Sequence, residues 1–121
     1  MRTIERYDGR VIDDDGSVNS AMFKEFAKTL KSDINHFDGY QLRKYSVGHY
    51  EVSGFVERLK DRTLFYFSFG VPRCGEPLNA DESNAFYGLL LRKAKTTNDF
   101  HGETNHFTSL RNFHEAMDQL N

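Results

Sequence analysis

Side chains able to ligate a metal or move a proton are densest between Asp99 and His114, in the run DFHGETNHFTSLRNFH. Three of the five histidines, His101, His106 and His114, fall there, with Asp99, Glu103 and Asn105 among them. Imidazole titrates near neutral pH and is a common metal ligand. The composition therefore points to two chemistries: an ion held by His101, His106 and the carboxylate of Asp99 or Glu103, or proton transfer by a His–carboxylate pair. The spacing narrows both. HGETNH puts its histidines five apart and its glutamate two after the first, whereas HExxH needs histidines four apart on a helix, which Gly102 disfavours. No activated nucleophile accompanies the pair. GxSxG is absent, and Cys74 stands between Arg73 and Gly75 without a spaced partner, although Arg73 would favour its thiolate. The expectation is an ordered loop over residues 99–107, anchored by Phe100 and Phe107. It would present Asp99, His101, Glu103, Asn105 and His106 as a binding surface, with no metal and no cofactor. His114 follows Leu110 by four residues, beside a helical apolar stripe. It is expected at the edge of the core, with Asp118 as its partner.

These residues need elements to position them. Arg2–Tyr7 has the pattern of a short edge strand, and Asp8-Gly9 and Asp13-Asp14-Asp15-Gly16 are turn chemistry. Met22, Phe23, Phe26, Ala27, Leu30 and Ile34 recur at helical spacing and predict a helix over Val18–Ile34. Lys28 and Lys31 lie towards its C-terminal end. Tyr40–Val47, His49–Leu59 and Thr63–Val71 predict a three-stranded antiparallel meander, its first link tightened at Gly48. On the third strand Phe65, Phe67 and Phe69 share one face with Thr63 and Val71, an aromatic row that requires a helix over it. Tyr50, Val52 and Val56 form the matching row, which leaves His49, Glu51, Ser53 and Glu57 to solvent. A second helix is expected over Ala80–Lys95, opened by Asn79 and Glu82 at capping-box spacing, although FYGLLLRKAK also suits a strand. A last helix is expected over Ser109–Leu120. The fold class is α+β: one domain over residues 1–121, with a three- to four-stranded antiparallel sheet and helices on one face, in the order β-α-β-β-β-α-α.

Two stretches resemble known families. Ile12–Phe26, IDDDGSVNSAMFKEF, resembles the calcium loop and exiting helix of an EF-hand. Asp13, Asp15, Gly16, Val18 and Asn19 fall on the third, fifth, sixth, eighth and ninth loop positions. The first position falls on Val11 and the twelfth on Met22, where the bidentate glutamate belongs, so calcium is not expected. YSVGHYEV followed by FYFSFGVPR resembles the hairpin and core strand of the RelE-type bacterial toxin ribonucleases. That resemblance implies an RNA-binding or RNA-cleaving domain, with Arg43, Lys44, Arg58, Arg62 and Arg73 facing RNA. Tyr40–Arg73 carries six basic and three acidic residues. Two departures stand against it: such toxins are strongly basic, and this chain runs nearly fifty residues past Arg73.

Composition bounds the rest. The chain has 121 residues and a formal net charge of −2, which argues against sequence-blind nucleic-acid binding. Eleven Phe, six Tyr and no Trp make the core aromatic. Cys74 is the single cysteine, which leaves no intrachain disulfide and suits a reducing compartment. MRTIERYDGR lacks the apolar core of a signal peptide, and no apolar run reaches the roughly 20 residues of a membrane span. GVPRCG lacks the lysine and Ser/Thr of a P-loop, and GxGxxG is absent. The expected protein is a small cytoplasmic binding or regulatory module that acts through a protein partner, of the kind found among phage and plasmid accessory or inhibitor proteins. The alternatives are an RNA-binding domain and a metal-dependent or acid–base enzyme centred on residues 99–114.

Overall fold

A computed structural model describes residues 20–48, 51–70, 88–99, 104–109 and 112–120. In chain order they form helix α1 (Ser20–Asn35), strands β1 (Tyr40–Val47), β2 (Glu51–Arg58), β3 (Thr63–Gly70), β4 (Gly88–Ala94) and β5 (His106–Ser109), and helix α2 (Phe113–Gln119). The strands make one antiparallel sheet in the order β1-β2-β3-β4-β5, so each pairs with its neighbour in sequence. The class is α+β, with five strands rather than three to four.

The aromatic row on β3 organises the core. Phe65, Phe67 and Phe69 are fully buried on the face that receives both helices. On β2, Val52 and Val56 stand opposite Phe69 and Phe65, and Gly54 stands opposite Phe67. Helix α1 buries Phe23, Phe26, Ala27, Leu30 and Ile34, the stripe its spacing predicts, and Phe26 meets Phe69 at 5.2 Å between ring centroids. From α2, Phe113 meets Phe67 at 5.0 Å and Phe37 at 5.6 Å, with Met117 buried beside it. The link from α1 to β1 is tight. Phe37 N donates to Ile34 O and Tyr40 N to Phe37 O, and Gly39 takes the left-handed φ of +80° that reverses the chain.

One arginine joins the sheet to α2. Arg58, at the end of β2, is 4 % exposed. Its Nη1 donates to the carbonyls of Met117 (2.6 Å) and Leu120 (2.7 Å), and its Nε and Nη2 donate to Asp61 (3.0 and 2.8 Å). The guanidinium also lies over the Phe65 ring, 5.1 Å from its centroid. It thus satisfies carbonyls that the end of a helix leaves without intrahelical donors.

Four expectations are corrected. Gly88–Ala94 is a strand, not the end of a helix. Leu89 and Leu91 point into the core opposite Phe69 and Phe67, while Leu90 and Arg92 take the other face. A run of three leucines fits either periodicity, and the free edge of β3 supplies a hydrogen-bond ladder that decides for the strand. His106–Ser109 is the edge strand β5, paired with Gly88–Leu91, not part of a loop. The last helix consequently begins at Phe113, not Ser109. Glu57 is buried, not solvent-facing, because arginines neutralise it. The predicted strand Arg2–Tyr7, the acidic run Asp13–Asp15, the segment around Cys74 and the Asn79–Glu82 cap lie outside the described residues. No helix among the described residues is long and apolar enough to cross a membrane.

Candidate functional site

A groove of about 640 Å³ lies between α1 and β1. Two features of the sequence create it. First, β1 carries a bulge between Leu42 and Lys44. Strict alternation from Tyr40 and Leu42 would turn Lys44 and Ser46 toward the helix. The bulge turns Tyr45 and Val47 there instead. Tyr45 OH then donates to Ala27 O at 2.7 Å, which fixes the spacing between strand and helix. Burial pushes the Tyr45 phenol well above its ordinary pKa, so it stays a donor.

Second, α1 carries Lys24, Lys28 and Lys31 along one flank of its buried stripe. At 100° per residue these positions fall within a narrow arc, spread over about 10 Å of axis at 1.5 Å rise per residue. Phe23, Ala27, Tyr45 and Val47 give the groove an apolar floor, and the three lysines form one wall, with Gly48 at the end. Val47 is 49 % exposed. The lysines are exposed and have no ion-pair partner among the described residues, while Lys31 Nζ lies 5.8 Å from the Tyr45 ring centroid.

A second charged cluster occupies the opposite face of the sheet. Arg43 Nε donates to Glu57 Oε1 at 2.6 Å, and its Nη2 touches the same oxygen. Arg62, with φ of 62° in the β2–β3 turn, brings its Nε within 2.5 Å of Glu57 Oε2, an ion pair without hydrogen-bond alignment. Arg92 is buried, 4.5 Å over the Tyr66 ring, and donates to Asp99 O at 2.7 Å. A smaller cavity of about 280 Å³ lies among Asp61, Arg62, Lys93 and Lys95.

The residues singled out in the sequence do different work. Asp99 closes the turn after β4, its carboxylate accepting from Lys95 N at 2.9 Å. Asn105 and His106 are exposed where β5 begins, and His101 and Glu103 lie outside the described residues. His114 stacks on Phe37 at 4.6 Å and meets Tyr40 edge-on. Its Nε2 is 3.9 Å from Asp118 Oδ1, an oxygen that accepts a 2.7 Å hydrogen bond from Tyr40 OH. Among the described residues no three His, Cys, Asp or Glu side chains gather around a common point. Of the arginines and lysine assigned to RNA by resemblance, Arg43 and Arg62 hold Glu57, Arg58 holds α2, and Lys44 reaches Asn98 Oδ1 at 3.4 Å. Arg73 lies outside the described residues.

The groove is not among the sites that the sequence alone suggests. Its signal was present: lysines at i, i+4 and i+7 beside the apolar stripe, and a break in the alternation of YQLRKYSV. No family model, curated protein or solved structure matches the chain.

Proposed function

We propose that this protein is a small, non-enzymatic binding module that receives a protein partner in the groove between α1 and β1. The observation that carries this reading is the pairing of an apolar floor with a wall of lysines that no acidic group of the described residues neutralises. Interaction sites combine an apolar centre with a charged rim. Four of the five cationic side chains that the toxin resemblance assigns to RNA, Arg43, Lys44, Arg58 and Arg62, already have partners within the protein, which weakens the case for phosphate binding there.

The test compares capture by three immobilised proteins: wild type, Val47→Asp, and His106→Ala. A partner held by the wild type and by His106→Ala, and released by Val47→Asp, supports the groove as the docking surface. Retention by Val47→Asp together with loss in His106→Ala would move the site to β5 and the residues before it.

A further inference from the structure

Resting on that reading of the groove, we infer that its occupant is an acidic amphipathic helix of a partner protein. Three properties of the site select this chemistry.

The first is charge. Lys24, Lys28 and Lys31 are exposed on one wall and lack ion-pair partners among the described residues. Across the groove, β1 contributes Tyr45 and Val47, neither of which can neutralise an ammonium group. The chain as a whole is slightly acidic, with a formal net charge of −2. The lysine row is therefore a local cationic feature, and an anionic ligand is drawn to it over about a Debye length, near 8–10 Å in physiological salt.

The second is spacing. The lysines rise along α1 in steps of four and three residues, about 6 Å and 4.5 Å. A second helix lying along the groove repeats the same steps, so Asp or Glu at its own i, i+3 or i+4, and i+7 positions meets each ammonium in turn. The stripe beside those carboxylates faces the floor, where exposed Val47 and half-buried Tyr45 await apolar contact. Helix-in-groove recognition reads the partner through apolar anchors at these intervals.

The third is what the floor lacks. Single-stranded nucleic acid would offer the same negative charge, but it is held by stacking bases on exposed aromatic rings. Tyr45 is the ring available on the β1 side. Its hydroxyl is tied to Ala27 O, its ring packs at 6.3 Å from Phe67, and Lys31 stands over it. Phe107, 74 % exposed, is on β5 at the other edge of the sheet. The groove thus pairs its cations with exposed Val47 and with rings that are buried or already covered, rather than with an open stacking platform, as an acidic amphipathic helix requires.

The experiment is selection of a random peptide library displayed in a helical scaffold on the immobilised full-length protein. Affinities of the selected peptide are then measured by fluorescence anisotropy for wild type, K24E/K28E/K31E and V47D. All three lysines are exposed, so the triple variant should melt with the wild type, which separates loss of binding from loss of fold. The expected peptides carry Asp or Glu at three- and four-residue spacing beside an apolar stripe. Their affinity falls roughly ten- to a hundredfold in the triple variant, the product of about two- to fivefold for each exposed pair. A peptide with its carboxylates changed to lysine recovers binding to the triple variant. Selected peptides that are neutral or basic, bind the triple variant as well as wild type, and fail on V47D would overturn the acidic-helix inference while leaving the groove as a docking surface. Selection of no peptide, or of peptides insensitive to V47D, overturns both. So does an RNA oligonucleotide that displaces the selected peptide at lower concentration than the peptide itself. A groove occupied by a second copy, seen as a concentration-dependent dimer that V47D dissolves, overturns the acidic-helix inference and leaves the groove as a docking surface.

Discussion

The ring of Phe67 lies against the bare α-carbon of Gly54. A methyl group on Gly54 would sit 3.0 Å from Phe67 Cε1 and overlap the carbonyl oxygen of Lys44 across the β1 bulge. The bulge, the absent side chain and the central core aromatic are one device. Gly54→Ala is expected to lower stability by about 1–3 kcal/mol, as overpacking does. Urea unfolding measures it, and an unchanged midpoint would show that β1 and β2 stand further apart than the register implies.

Phe67 fills the other side of that device and touches Phe113 as well. Phe67→Ala should cost about 3–5 kcal/mol by the same assay, the usual range for emptying a buried phenylalanine site. A cost near zero would place the aromatic row on the wrong face.

The Arg58 clasp makes an acid-sensitive contact. Arg58 holds the Asp61 carboxyl well below the usual carboxylate range, helped by the backbone N–H of Thr63. A depressed carboxyl stabilises the fold above its unfolded pKa of about 4, and that stability is lost as pH falls through the folded value. Melting temperature should therefore fall on acidification below about pH 4, and Asp61→Asn should make that fall shallower. An identical acid profile for the two proteins would remove Asp61 from the account.

At the alkaline end, burial raises the pKa of both Tyr40 and Tyr45, and Asp118 raises Tyr40 further. Both phenols remain protonated in the folded state while the unfolded chain ionises from about pH 10. Their contribution is complete below pH 10 and is lost as pH rises through the folded values. Melting temperature should drop above pH 10, and less steeply in Tyr40→Phe and Tyr45→Phe. Equal slopes in all three proteins would refute it.

The elements most legible in the sequence are those whose periodicity allows one reading. Phe23, Phe26, Leu30 and Ile34 fit only a helix, and Phe65, Phe67 and Phe69 fit only a strand. Leu89-Leu90-Leu91 fits both, and its assignment waits on β3, a partner distant in sequence. Alternation along β2 assigns Glu57 to the solvent face but cannot show that Arg43 and Arg62 converge there. The groove needed a bulge to turn Tyr45 and Val47 inward, and a bulge is settled by pairing between strands. Within residues 99–107, Asp99 serves a turn and His106 begins an edge strand, roles that composition does not reveal.

The order β1-β2-β3-β4-β5 also has a kinetic meaning. Each strand pairs with the next along the chain, so the sheet forms without a crossover between strands distant in sequence. The clasp of Arg58 on Met117 and Leu120 spans 59 and 62 residues and can close only around a sheet already in place. Its energy therefore belongs to the late side of the folding barrier. Weakening it should quicken unfolding while leaving the refolding rate nearly untouched. The Arg58 clasp is thus expected to act on the lifetime of the folded protein more than on its speed of formation.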